Sequence, residues 1–184
     1  FYLRVYNARH SEQLPRDFTV NVLAVSQSWQ EGHGLDMEGY TDVTEDAIVG
    51  SNWIRRSKTD SWAQIGGTYH SSTYAPGTTM PNYTFTFEDG DEDILLDVTA
   101  AVEEWIAGNQ ANYGFGIFLT SSFSALVTAS DSFVLANTAG QKTSFYTKRF
   151  FSRTSEFFFK KPNIEARWDS RRLDNRGNFF YSSS

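Results

Sequence analysis

Hydrophobic and polar positions alternate with period two in several short segments and with a helical period in one. Across 1–8, Leu3 and Val5 oppose Tyr2, Arg4 and Tyr6. Across 18–25, Phe18, Val20, Val22 and Ala24 share one face. Such alternation marks half-buried strands. The polar stretch between them contains Pro15 and predicts a loop. Residues 26–46 are long, acidic and glycine-containing, with no clean period. Loops of that length are uncommon and often functional. Gly66-Gly67 and Pro76-Gly77 are turn signals. From Asn82 the pattern predicts a strand, an acidic turn, and a second strand in which Ile94, Leu96 and Val98 face one way.

One helix is expected next, over about 99–107. Thr99 suits its N-cap, and Glu103 and Glu104 lie toward its positive end. Val102, Trp105 and Ile106 share a face at i, i+3, i+4 spacing, and Gly108 is placed to stop the helix. This predicts a short lid that plugs one end of a sandwich with a mostly buried Trp105. Phe115, Ile117 and Leu119 then resume strand alternation. Near the end, Ile164, Ala166 and Trp168 face one way, and Glu165, Arg167 and Asp169 the other.

Composition supports sheet over helix. Of 184 residues, 16 are Phe, 9 Tyr and 5 Trp. Aromatic richness favours strands. Without cysteine there are no disulfides and no thiolate zinc sites. No apolar run approaches the ~20 residues of a membrane helix, so no membrane partner is expected. The chain opens on a strand at Phe1 rather than on Met, and is expected to be a piece of a longer polypeptide.

Charge changes sign along the chain. From Lys148 onward nine Lys and Arg stand against four Asp and Glu, +5, which leaves −11 of the net −6 in the part before it. A basic end on an acidic body can signal nucleic acid. Here the basic residues alternate with aromatics on expected strands. The two regions are therefore read as facing each other or a neighbouring subunit, with no nucleic-acid partner.

Four motifs occur in an order that resembles a known family: "LRVYNA", "WQEG", "LDVTAAVEEWIAGNQANYGFGIFL" and "FFSRTSEFFFKKPNIEARW". The chain resembles DNRLRE-type domains, jelly-roll β-sandwiches related to carbohydrate-binding modules. Such domains occur in secreted cell-surface proteins and in virion proteins of tailed phages. Asp97-Val98-Thr99, Trp105, Gly108, Asn112 and Gly114 match the family's central motif, and Pro162 with Ile164-Glu165-Ala166 matches its last strand. The family's Trp-Asn-Pro segment is replaced by Ser51-Asn52-Trp53-Ile54. The resemblance implies an all-β, jelly-roll-like sandwich over 1–169 that lacks the family's first strands. A polar exit segment, 170–184, follows. The tail is most similar to structural proteins of marine and cyanobacterial phages. That similarity implies a non-enzymatic virion component in the tail, neck or capsid, packed as a homo-oligomer against other virion proteins. The alternative it implies is an extracellular or cell-surface module binding host glycans.

Candidate chemistry is sparse. His10, His33 and His70 have no ligand spacing, and no nucleophile motif is present. Two acidic loops stand out. Asp36, Glu38 and Asp42 lie in one, and Asp89, Asp91 and Asp93 in the other. They read as a solvated surface, as oxygen ligands for a structural Ca²⁺, or as a catalytic carboxylate pair. No other cofactor is expected. Trp29, Trp53 and Trp62, with Tyr69 and Tyr74, fall in irregular regions and could stack on sugar faces or fill the sandwich ends. Phe157, Phe158 and Phe159 are expected on a strand, where alternation puts at least one ring outside the core. Together with Arg149 and Arg153 they are the candidate interface.

Overall fold

The computed structural model describes residues 1–11, 14–31, 50–131, 134–143 and 147–168. Among these residues six strands and one α-helix follow in the order β1 (Tyr2–Val5), β2 (Phe18–Ala24), β3 (Asn82–Phe87), β4 (Ile94–Asp97), α1 (Thr99–Ile106), β5 (Phe115–Leu119) and β6 (Asn163–Glu165). A turn of 3-10 helix, Phe158–Lys160, precedes β6. The strands form two antiparallel three-stranded sheets, β4-β1-β6 and β3-β2-β5. The fold is all-β with one short helix. A jelly-roll path would require strands beyond these six.

Each sheet has one strand paired on both sides, and these carry the cleanest alternation. In β2 every second residue is buried, from Phe18 through Val20 and Val22 to Ala24. In β1 the buried pair is Leu3 and Val5. The inner residues of both sheets meet in one core with Phe87, Ile94, Val98 and Val102. Each fully buried side chain of this size contributes about 1.5–3 kcal/mol through burial. Phe18 stacks on Phe87 with ring centres 4.6 Å apart.

Helix α1 closes one end. Its cap position is Val98 rather than the expected Thr99, which becomes the first helical residue. The carboxylate of Asp97 reaches the Thr99 N–H at 2.9 Å and takes over the role expected of a capping hydroxyl. The hydroxyl of Thr99 instead accepts a hydrogen bond from the main-chain nitrogen of Phe1 at 2.7 Å. At the other end Gly108 has φ +74°, the left-handed residue expected there. The N–H groups of Gly108 and Asn109 bond the carbonyls of Trp105 and Glu104, both at 3.1 Å. These bonds form the paired Schellman closure that a left-handed glycine allows. Ala101, Val102 and Glu104 point inward, while Ile106 is 71 % exposed, against expectation. Ala101, Glu104 and Trp105 are themselves spaced i, i+3, i+4, and that stripe faces the core.

Trp105 is half-buried rather than mostly buried. It packs on Phe115 at 5.0 Å and contacts both apolar clusters. Its buried indole N–H has no hydrogen-bond partner. Trp105→Ala is expected to destabilise the fold by about 3 kcal/mol, the low end for aromatic truncation. A chemical-denaturation midpoint within error of the parent would refute that.

Candidate functional site

The first candidate site is the aromatic turn at the C-terminal end of the described chain. Phe157, Phe158 and Phe159 are 54, 72 and 87 % exposed. They do not lie on a strand. The 3-10 turn Phe158–Lys160 interrupts the expected alternation and leaves all three rings outside the core. Pro162 and the main-chain bond from Lys160 N–H to the Phe157 carbonyl, 2.9 Å, favour this turn over an extended run. Phe158 and Phe159 meet edge to face, and Phe157 meets Phe151 in the same way. The ammonium of Lys160 lies 4.9 Å from the centre of the Phe151 ring, and that of Lys161 5.7 Å from Phe158. β6 adds Ile164, and Trp168 follows at 78 % exposure. Ile164 pairs with the core-facing Leu3, yet it is 42 % exposed. Among the described residues nothing covers the sheet's inner face at this edge. The apolar face of Ile164, Ala166 and Trp168 is exposed throughout.

The two arginines assigned to this interface separate. Arg149 is exposed, and its carbonyl accepts the Ala8 N–H at 3.0 Å. Arg153 is engaged within the chain. Its Nε donates to Glu31 at 2.8 Å and its second nitrogen bonds the other oxygen of the same carboxylate. This fork holds the Glu31 carboxyl below its ordinary range and pushes the guanidinium further up.

The tryptophans assigned to glycan stacking divide by exposure. Trp29 and Trp53 are 42 and 53 % exposed. Trp29 is fixed by its indole N–H, which donates to the Tyr113 carbonyl at 2.8 Å. Trp53 lies over Gly66, where a Cβ would press on its ring. Trp62 is half-buried and donates to the Asn52 carbonyl at 2.9 Å. Tyr69 stacks on Phe118 and donates to the Gly66 carbonyl, so it serves packing.

Of the acidic loops, Asp36, Glu38 and Asp42 lie outside the described residues. In the other, Asp89, Asp91 and Asp93 are all exposed. Among the described residues no three His, Asp or Glu side chains converge as a metal group. The inward carboxylate of this turn is Glu92. One of its oxygens accepts the N–H groups of Glu88 and Asp89 at 2.7 Å, and the other that of Gly90 at 2.8 Å. Burial opposes its charge, but these N–H groups hold its carboxyl below the ordinary value. Gly90 itself has φ +93°, and a Cβ there would run into the Pro15 carbonyl.

A cation already stands in this turn, and the sequence did not mark it. The ammonium of Lys148 donates to the Gly90 carbonyl at 2.7 Å, the Asn7 side-chain oxygen at 2.9 Å and the Glu92 carbonyl at 3.3 Å. It sits over the rings of Phe87 at 4.3 Å and Phe150 at 5.2 Å. Burial lowers its affinity for a proton, while the charges of Glu92, Asp91 and Asp93 oppose that shift. Lys148 and Asn7 are 141 positions apart, a separation that no local pattern reports.

Glu104 was also missed. It is 5 % exposed. Its oxygens accept the Gly77 N–H at 2.9 and 3.1 Å, the Asn109 side-chain amide at 2.9 Å and the Tyr74 hydroxyl at 3.3 Å. The carboxylate thus ties the 73–79 loop to the end of α1. The Gly77 and Asn109 donors hold its carboxyl below its ordinary value.

Comparison with protein-family models, with curated proteins and with solved structures finds no match to this chain.

A carboxyl whose pKa is depressed by folding stabilises the fold above its unfolded pKa, and that stabilisation is lost as pH falls through the folded value. Glu104→Gln is therefore expected to lower the thermal midpoint at neutral pH. The gap to the parent should narrow as pH falls below 4.5, the group's ordinary value. A gap that stays constant or widens over the acid range would show that Glu104 is not held as a carboxylate.

Proposed function

We propose that this chain is a non-enzymatic structural module that works by packing against other protein chains, as a component of a phage particle. The observation that carries this reading is the aromatic turn. Three consecutive phenylalanine rings face solvent, and Ile164 on the edge strand and Trp168 after it are exposed as well. Contiguous apolar surface of this kind marks an interaction site. Aromatic side chains are the commonest anchors of protein interfaces. The lysines around the rings supply a cationic rim, and a partner surface as acidic as the body of this chain would complement it. The resemblance to virion domains gives the setting.

A second reading rests on a separate surface. Trp29 and Trp53 are exposed, the first fixed by its indole N–H and the second lying over Gly66, and an exposed, fixed ring can stack on a sugar face.

Sedimentation of the purified chain over a wide concentration range separates the two. Under the packing reading the parent associates, and Phe158→Ser with Phe159→Ser shifts it to monomer without changing its thermal midpoint. A parent that stays monomeric at high concentration, and whose binding to a glycan array is lost on Trp53→Ala, would replace the first reading by the second.

A further inference from the structure

We propose that Lys148 and Asn7 are a self-reacting pair, in which Lys148 Nζ attacks the side-chain carboxamide carbon of Asn7 and forms an amide cross-link with loss of ammonia. The inference goes beyond the packing function and does not depend on it.

The backbone places the two side chains together. Asn7 follows β1 and bridges Phe150 in antiparallel fashion. The Phe151 N–H bonds the Tyr6 carbonyl, and the Ala8 N–H bonds the Arg149 carbonyl, both at 3.0 Å. Lys148 is two residues from Phe150, so it shares the strand face of Asn7 as a diagonal neighbour. A long side chain spans that diagonal. Its nitrogen lies 2.9 Å from the Asn7 oxygen, one bond from the carbon it would attack. Reaction between held partners at such separations gains most of what a bimolecular encounter must supply.

The surroundings suit the step. The rings of Phe87 and Phe150 wall the nitrogen. An amine in such a setting gives up its proton more readily than one in water and becomes a nucleophile. Of the three carboxylates that act on Lys148, Glu92 is occupied by main-chain donors on both oxygens. Asp93 is anchored beside the target, because its Oδ1 accepts the Asn7 main-chain N–H at 2.7 Å. In this step Asp93, whose charge acts on Lys148, carries the proton through an intervening water.

The balance is simple. The Lys148 ammonium passes a proton to the Asp93 carboxylate. The neutral amine adds to the Asn7 carboxamide carbon, forming one C–N bond. Collapse of the adduct breaks the other C–N bond, and the proton returned by Asp93 and the one from the attacking nitrogen accompany the leaving nitrogen. Ammonia departs, as ammonium in water. No oxidant, metal or further reactant takes part.

The product would join the end of the first strand to the C-terminal third across 141 positions. A load applied to the termini would then bypass the segment between, as suits a structural module.

Intact-mass measurement of the folded, purified chain tests this. The parent is expected to be lighter than its sequence by one ammonia, and digestion should yield a branched peptide joining Asn7 to Lys148. Lys148→Arg, which keeps the charge and its carbonyl partners, and Asn7→Ala should both have the full sequence mass and a lower thermal midpoint. Asp93→Asn should stay folded and cross-link more slowly. A parent at full sequence mass after prolonged incubation in the folded state overturns the proposal. So does an ammonia loss that survives Lys148→Arg, which would mark a succinimide elsewhere.

Discussion

The stack of Phe18 on Phe87 is the contact on which the rest of the structure depends. Both rings are fully buried, one opening β2 and the other closing β3. The pair fixes the register of the second sheet, because Phe18 and Phe87 are also directly opposed across its strands. A slip of one residue would turn every inward side chain of β2 to the other face. Phe87 serves a second purpose. Its ring meets that of Phe85 edge to face, and the Lys148 ammonium rests over it. One aromatic side chain therefore links the core, the acidic turn after β3, and the returning C-terminal segment.

The acidic turn shows how main-chain N–H groups and one ammonium hold a run of like charges. Glu88, Asp89, Asp91, Glu92 and Asp93 fall within six positions, and repulsion alone would open the turn. Three main-chain N–H groups converge on Glu92, and Asp93 accepts a fourth from Asn7. Lys148 supplies the positive charge and satisfies two carbonyls that would otherwise face an apolar wall. The charge asymmetry along the sequence is thus partly resolved inside the molecule, as Arg153 with Glu31 also shows. Contact between the acidic body and the basic end is intramolecular in both cases.

What was legible in the sequence was what repeats locally. β2 and β5 fall where alternation predicted them, and the helix stops at Gly108, whose left-handed φ is a local property that a glycine in the sequence can announce. Position within a pattern did not reveal partnership across it. Glu104 lies on the inward stripe with Ala101 and Trp105, but its burial depends on Gly77 and Tyr74 donating from a loop far upstream. Lys148 looked like one basic residue among nine. The phenylalanine run was misread for a different reason. Phenylalanine favours strands, and that propensity yields to the punctuation of Lys161-Pro162 and to the short 3-10 turn it terminates.

That turn also decides how an outside partner can engage this edge. β6 is three residues long and is preceded by two lysines and a proline. Short length, lysine and proline are the features by which natural sheets discourage the addition of a strand. The Ile164 side chain is nevertheless left open on the inner face, with the phenylalanine rings and Trp168 nearby in the chain. The main chain at this edge thus repels pairing while the side chains offer apolar area. Under the packing reading, a partner would therefore be recognised through pockets that accept aromatic rings, with a rim that tolerates ammonium groups, rather than through continuation of the sheet. Such recognition reads side-chain shape and charge, which restricts partners more than backbone pairing does, since any extended segment can supply the latter.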